Sequence, residues 1–308
     1  MEKIFKSVSF LSASLILVIS IGIFGALLNS SREAMSQFGF GFLTSSAWNK
    51  NIVIKNKQTN TNNNSDNVSQ DTILEQSSNT KKIFAGLAPL FGSLASTFLA
   101  IIFALPLALG IAVFLAELAP KFLSTSIGLG IELLAAIPSI IFGMWGLFYF
   151  APLVEKFVGG YQVSLLNASL VLAIMILPFI ASLSKDSIKN TPDILKESAY
   201  GLGATKFEVI KDIIFPFCKK GIVGSIILAL GRALGETMAV AFLLGSVFKI
   251  PSSLTSPTIS IPVALANNFA EATGLEQSSL FYLAFLLFII SFFIIFLAKF
   301  FFLKKAKA

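Results

Sequence analysis

The sequence predicts an all-α integral membrane protein with six transmembrane helices and both termini in the cytoplasm. Three observations carry that prediction. Hydrophobic residues make up 55% of the 308-residue chain and charged residues only 13%, where a soluble domain carries about 25% charged residues. Six stretches, 8–28, 93–116, 127–150, 164–183, 221–248 and 280–303, reach the roughly 20 apolar residues needed to cross the hydrocarbon layer. The lysines are shared unequally between alternate loops, which sets orientation.

The composition also excludes function classes. The chain has no His and a single Cys, Cys218. That removes haem ligation through imidazole, most catalytic zinc sites, every triad with an imidazole base, and any internal disulfide. No metal site and no catalytic residue is expected. The mean hydropathy is +0.84, so the net charge of +7 reads as basic cytoplasmic loops and not as a nucleic-acid footprint. No nucleic-acid partner is expected.

The first stretch follows Lys3 and Lys6, as a signal peptide would. Its apolar core exceeds the roughly 7–15 residues of an h-region and no A-x-A site follows, so it reads as a retained span. With the N-terminus inside, the inner segments hold Lys3, Lys6 and Lys121. They also hold the seven lysines of the 184–220 loop and Lys304, Lys305 and Lys307 of the tail. The short outer loops hold Lys156 and Lys249 alone. The loop 29–83 carries six basic residues on the outside, and long loops escape the positive-inside rule. Its Asn-rich run at about 50–82 cannot bury enough apolar surface to fold alone, which predicts a flexible external insertion. The chain therefore divides into 1–28 (first span), 29–83 (external loop) and 84–308 (transmembrane core).

Within the core, the second stretch holds Pro106 and ends at Glu117, which is expected to be solvated. The third holds Glu132 near its inner end, then Pro138, Gly143 and Gly146. Pro138 can kink a helix. Glycines at membrane depth serve either close helix packing or a broken helix beside a cavity. Glu132 has three open roles: lining a substrate route, snorkelling to the inner surface, or pairing with another subunit. Trp145 suits the outer interface.

The fifth stretch, GIVGSIILALGRALGETMAVAFLLGSVF, places Arg232 near mid-membrane, about 16 Å of helix beyond Gly221. Glu236 follows one turn later, within reach of it. A charge at the bilayer centre costs about 2.5–3.5 kcal/mol on insertion scales and normally faces a bundle interior or a pathway. Only two of the 23 basic residues are arginine, Arg32 and Arg232. Where charge alone suffices this chain uses Lys. At mid-membrane it uses a permanently charged planar fork that suits tetrahedral oxyanions. The alternative is a self-neutralising Arg232–Glu236 pair that pins one helix to another.

The inner loop 184–220 is organised. Thr191-Pro192-Asp193 reads as N-cap, N1 proline and first-turn acid. A glycine break, Gly201-Leu202-Gly203, follows. Thr205 and Glu208 have capping-box spacing, so a second helix starts there. Phe207, Ile210, Ile213 and Ile214 should share one face, and Pro216 should end or kink the helix. Such a hairpin either rests on the membrane surface or docks on a cytoplasmic partner. GLGATK lacks the spacing of a phosphate-binding loop and follows no strand, so any ATP must be used by another subunit.

The run ESAYGLGATKFEVIKDIIFPF resembles the coupling loop of ABC importer permeases. Glu197-Ser198-Ala199 through Gly203 stand for its E-A-A-x-x-x-G core, with Ser for the second Ala. LGRALGETMAV and IELLAAIPSIIFGMWGLF are similar to the permease subunits of the phosphate-specific importer, of the PstC type. Sulfate and molybdate permeases tend instead toward R-A-L-G-E-F-G at this place.

The resemblance covers 84–303 well, the first span loosely, and the Asn-rich run not at all. It implies the type I ABC importer permease fold in the bacterial cytoplasmic (inner) membrane. It implies no enzymatic activity and no cofactor in this chain, with ATP and Mg bound by a partner ATPase. The implied partners are a second permease of the PstA type, a dimer of PstB-type ATP-binding subunits, an external PstS-type phosphate-binding protein, phosphate, and membrane lipid. By the resemblance Arg232 and Glu236 match the family's buried charged pair; with Thr237 and Glu132 they are the candidate residues of the substrate route. The resemblance places Glu197, Ser198, Ala199, Gly201, Gly203, Ala204, Phe207 and Pro216 in the ATPase-coupling loop.

Overall fold

The computed structural model describes residues 2–45, 48–53 and 80–304. Among them six helices are long and apolar enough to cross a membrane: Phe5–Ser30, Leu87–Leu118, Ser139–Val158, Leu165–Lys189, Lys206–Leu234 and Leu275–Phe300. They are called the first to sixth spans below. The Asn-rich run 54–79 and the tail lysines Lys305 and Lys307 lie outside the described residues, so the expected flexibility of the insertion is not addressed there. At its two edges, Lys50–Val53 pairs antiparallel with Thr80–Ile83, Lys50 opposite Ile83. This short ribbon is added to an otherwise helical chain.

The fourth span is the axis of the bundle. Val171, Ile176 and Ile180 are fully buried, and the second span packs along it more extensively than any other pair. The second span makes this possible with Ala100, Ala104, Ala108 and Ala112, all fully buried and four residues apart. Small side chains on one ridge let two backbones approach closely, which is how helices associate where lipid removes the hydrophobic drive. Ser184 and Ser225 share a buried 2.9 Å hydrogen bond that joins the fourth span to the fifth.

Part of the 29–83 loop folds. Arg32–Phe38 is helical and Gly39–Leu43 forms a 3-10 turn. The Ala34 amide donates to Ser278 Oγ at 3.1 Å, and that hydroxyl donates to Ser30 O at 2.9 Å. Phe42 is fully buried and packs on Tyr282 with ring centroids 4.7 Å apart. The folded segment thus locks onto the start of the sixth span.

Two predicted spans are corrected. The third is not one helix over 127–150. Lys121–Ala136 ends at Ile137, whose ψ of 130° is extended, and a new helix begins at Ser139. A residue before proline is pushed out of the helical region, so Pro138 breaks the helix outright where a kink was expected. The apolar span then shifts along the chain to Ser139–Val158. The fifth is not one helix over 221–248. It ends at Leu234, and Met238–Leu244 follows as a separate short helix. Gly245, at φ +97°, turns the chain away. The segment after it is buried under protein: Ile259 and Thr258 are fully buried, the Thr258 amide donates to Leu244 O at 3.0 Å, and Ile261 N donates to Ser93 Oγ at 2.8 Å. Irregular backbone at membrane depth is tolerated only with such cover. Pro106 sits inside a continuous helix, Leu87–Val113.

Gly143 and Gly146 serve close packing. A Cβ at Gly143 would stand 2.9 Å from Ala239 Cα, and one at Gly146 would stand 2.9 Å from Leu243 Cδ1 and 3.0 Å from Val171 Cγ2. The third span is thereby pressed onto the short helix Met238–Leu244. Gly146→Leu overpacks this seam and is expected to destabilise the chain by about 1–3 kcal/mol. Gly130→Leu, at a position with nothing within 4 Å, is expected to change little. Thermal unfolding of both variants in detergent checks the difference.

Candidate functional site: an interrupted span and a clamped cytoplasmic hairpin

Arg232 lies in the last turn of the fifth span, where a cation complements the helix dipole. It is twelve residues beyond Lys220, about 18 Å along the helix. The helix stops because Gly235 caps it at φ −92°, ψ 0°. Thr237 Oγ1 then donates back to Gly235 O at 3.3 Å, and the Ala241 amide takes up Thr237 O at 2.8 Å to restart the ladder.

The interruption undoes the predicted Arg232–Glu236 contact. One turn of continuous helix would have stacked the two side chains, but the backbone leaves the helix between them. Among the described residues the ion pairs are Lys196–Glu117 and Lys196–Asp193. Arg232 instead holds its guanidinium over the Phe179 ring of the fourth span, 4.5 Å from the centroid, a cation–π contact of about 0.5–2 kcal/mol. Arg232 is exposed on the single chain, while Glu236 and Thr237 are half-buried. Glu132 is exposed on Lys121–Ala136, a helix that packs on the fourth span, and no ion pair joins it to Arg232. The structure therefore brings Arg232, Glu236 and Thr237 to one interruption, and Glu132 remains outside it. Trp145 stacks on Phe150 with centroids 5.5 Å apart.

The cytoplasmic hairpin starts with the helix Asp193–Gly201. Its cap is Pro192, one residue later than expected, because Thr191 is buried and its hydroxyl does not cap the helix. Gly203 adopts φ +88°, the left-handed turn that glycine makes without strain, and the Ala204 amide closes back on Ala199 O at 3.1 Å. The capping box forms as read: Glu208 N donates to Thr205 Oγ1 at 3.4 Å and Thr205 N donates to Glu208 Oε2 at 2.7 Å.

The expected apolar face does not form as written. A π turn, Val209–Ile214, shifts the phase, so Val209 and Ile214 are buried while Phe207 is 71% exposed. The same π turn lets the helix run on through Pro216 into the fifth span, because a wider turn relieves the clash of the proline ring with the preceding carbonyl. Pro216 thus neither ends nor breaks the helix.

Val209, Ile214, Cys218 and Ile222 pack with Ala112 of the second span and Ile188 of the fourth, with Ala199 and Ala204 at the rim. Glu197, Ser198, Gly201, Leu202 and Phe207 face outward; Leu202 is 90% exposed. The hairpin therefore has one clamped face and one free face with apolar tips.

Sequence reasoning missed the contact that holds it. Lys196 Nζ reaches Glu117 Oε1 at 2.7 Å, with the two side chains only 15% and 13% exposed. Glu117, expected in solvent, instead ties the end of the second span to the hairpin. The partners lie 79 residues apart, and no local pattern marks them.

Residues 108–306 match the family described as binding-protein-dependent transport system inner membrane component. The chain belongs to this family. It is 41% identical over 318 residues to the phosphate transport system permease protein PstC of Haemophilus influenzae, covering 97% of this chain and 92% of that one. It is 40% identical to the PstC of Mesorhizobium japonicum, covering 97% and 89%. Among solved structures it is similar to the inward-facing MetNI methionine ABC transporter, with a TM-score of 0.52, 18% identity, and 69% of this chain and 90% of that one covered. That likeness places the chain in the type I ABC importer permease fold. Family and fold together make it a multi-pass inner-membrane transport component with no enzymatic role of its own.

Removing one partner of the Lys196–Glu117 bridge strands a largely buried charge. Glu117→Gln is expected to destabilise the hairpin by about 1–3 kcal/mol. The swapped pair Glu117→Lys with Lys196→Glu should recover most of it. Protease protection of the 193–208 segment in membranes reads both outcomes.

Proposed function

We propose that this chain is one of two permease subunits of an ATP-driven importer that carries inorganic phosphate across the cytoplasmic membrane by alternating access. The observation that carries the proposal is Arg232. A guanidinium stands at the end of an interrupted span, on a face left open by this chain. A permanently charged side chain in hydrocarbon needs either a partner or a polar route, and here its neighbour within the chain is the face of Phe179. A second permease placed against that face closes a route between the two subunits. The PstC relatives, phosphate permeases by name, supply the anion, and a planar fork suits its oxygens.

In this reading a loaded PstS-type binding protein delivers phosphate from outside, and a PstA-type permease completes the route. A PstB-type ATPase dimer binds ATP and Mg and receives the free face of the 193–208 hairpin. Glu197, Ser198, Gly201 and Phe207 supply the docking face; Ala199, Ala204 and Gly203 shape the turn beneath it. Closure of the ATPase pushes the hairpin. The Lys196–Glu117 bridge and the Ile188–Val209–Ile214 packing pass the push to the second, fourth and fifth spans. The ATPase must bind the two states with different affinity for this to drive anything. Both termini lie in the cytoplasm by the lysine distribution, with 1–28 as the first span, 29–83 as the external loop and 84–308 as the transporting core. In this reading Glu236, in no ion pair among the described residues, swings to Arg232 when the route is empty and releases it when the anion arrives.

Arg232→Lys keeps the charge and loses the fork. Phosphate uptake by cells carrying that variant is expected to fall about tenfold or more at unchanged membrane abundance; near-normal uptake would remove the bidentate argument. Phe207→Asp is expected to leave the chain folded but to abolish its co-purification with the ATPase, since the side chain is exposed and packs on nothing within the chain.

A further inference from the structure

Two cavities run end to end along the groove between the second and fifth spans. The larger, about 680 Å³, lies between Leu94, Phe98 and Leu105 of the second span, Leu230 of the fifth, and Ile294 and Ala298 of the sixth. Apart from Thr97, every side chain that lines it is hydrocarbon. The smaller, about 370 Å³, has Lys211 and Lys219 at its rim over a floor of Leu109, Phe215 and Pro216. Val223 lines both, so they adjoin along one helix–helix groove. Leu94 and Leu109 are separated by about 22 Å of helix, more than the roughly 15 Å depth of one leaflet.

We infer that this groove is a binding site for an anionic phospholipid of the inner leaflet. Its phosphate lies between Lys211 and Lys219 and an acyl chain extends outward along the second span. Both lysines are exposed, neither enters an ion pair among the described residues, and no carboxylate lines either cavity. Two cations at the cytoplasmic mouth of a hydrocarbon slot match the division of a phospholipid into charged head and apolar tail. Basic pockets between spans on the cytoplasmic side select acidic headgroups. A zwitterionic lipid would bring its own ammonium against the two lysines.

The face that carries Arg232 is on the far side of the fifth span, since Arg232 and Leu230 are about 200° apart around the helix. The second permease of the proposed importer therefore sits opposite the groove and leaves it to lipid. Lys211 belongs to the π turn Val209–Ile214 and Lys219 to the second turn of the helix Phe215–Leu234, so a bound headgroup ties the hairpin's exit to the membrane surface.

The test uses the full chain in its assembled transporter, reconstituted in vesicles of equal phosphatidylglycerol and phosphatidylcholine, then extracted and analysed by native mass spectrometry. The wild type is expected to retain phosphatidylglycerol in preference. The double variant Lys211→Gln, Lys219→Gln should lose that preference roughly tenfold with assembly intact. Leu105→Trp, which fills the slot and leaves the lysines, should lower retention of both lipids. Equal retention of the two lipids by the wild type, or an unchanged preference in the double variant, would overturn the site. So would efficient crosslinking of Phe98→Cys to the second permease, which would make the groove a protein interface. None of these readouts depends on which anion is transported.

Discussion

Inside a hydrocarbon layer, a backbone amide or carbonyl without a partner has no water to turn to. Each place where this chain leaves the helix must therefore be covered by protein or by a polar route, and the architecture follows from how that is met. The break at Ile137–Pro138 is met by starting a new helix at once. The break at Gly235–Thr237 is met by a threonine that bonds back to Gly235 and by a short helix buried under the third span. The irregular return after Gly245 is met by Ser93, Leu244 and the 159–166 segment, whose amides pair with the 254–256 carbonyls. Arg232 stands beside such an interruption, where a helix end supplies partial negative charge.

In the proposed importer the cytoplasmic side answers a different demand, that of passing a displacement inward. The hairpin is held at three points of unlike character: an apolar cluster around Val209 and Ile214, a largely buried ion pair between Lys196 and Glu117, and a continuous helical exit through the π turn. A continuous exit transmits a push along its axis better than a flexible joint. The ion pair fixes which span receives the lateral component. The outward face leaves the side chains of Ile194, Leu202 and Phe207 largely exposed.

What could be read without the structure divides by the range of the interaction. The capping box of Thr205 and Glu208 was legible because its members are three residues apart and their geometry is local. The glycine turn at Gly203 was legible for the same reason. Phe207 leaves the face that a uniform helical period gives it, because the π turn at Val209–Ile214 changes the phase between it and the isoleucines that follow. The Arg232–Glu236 contact failed likewise: its spacing is right for a helix, and the helix ends between them. Glu117 was given to solvent because its partner is 79 residues away.

By itself, the sequence determined the membrane class, the existence of six apolar spans, the presence of an arginine within one of them, and the composition of the 193–208 hairpin. Those rest on apolar content, charge placement and short-range backbone chemistry, which are properties of contiguous residues. Only the tertiary structure decided where the third and fifth spans break, which face of the hairpin is clamped, and what Arg232 and Glu117 touch. Those depend on cover and packing supplied by distant segments, and in hydrocarbon that cover determines where a helix is allowed to stop.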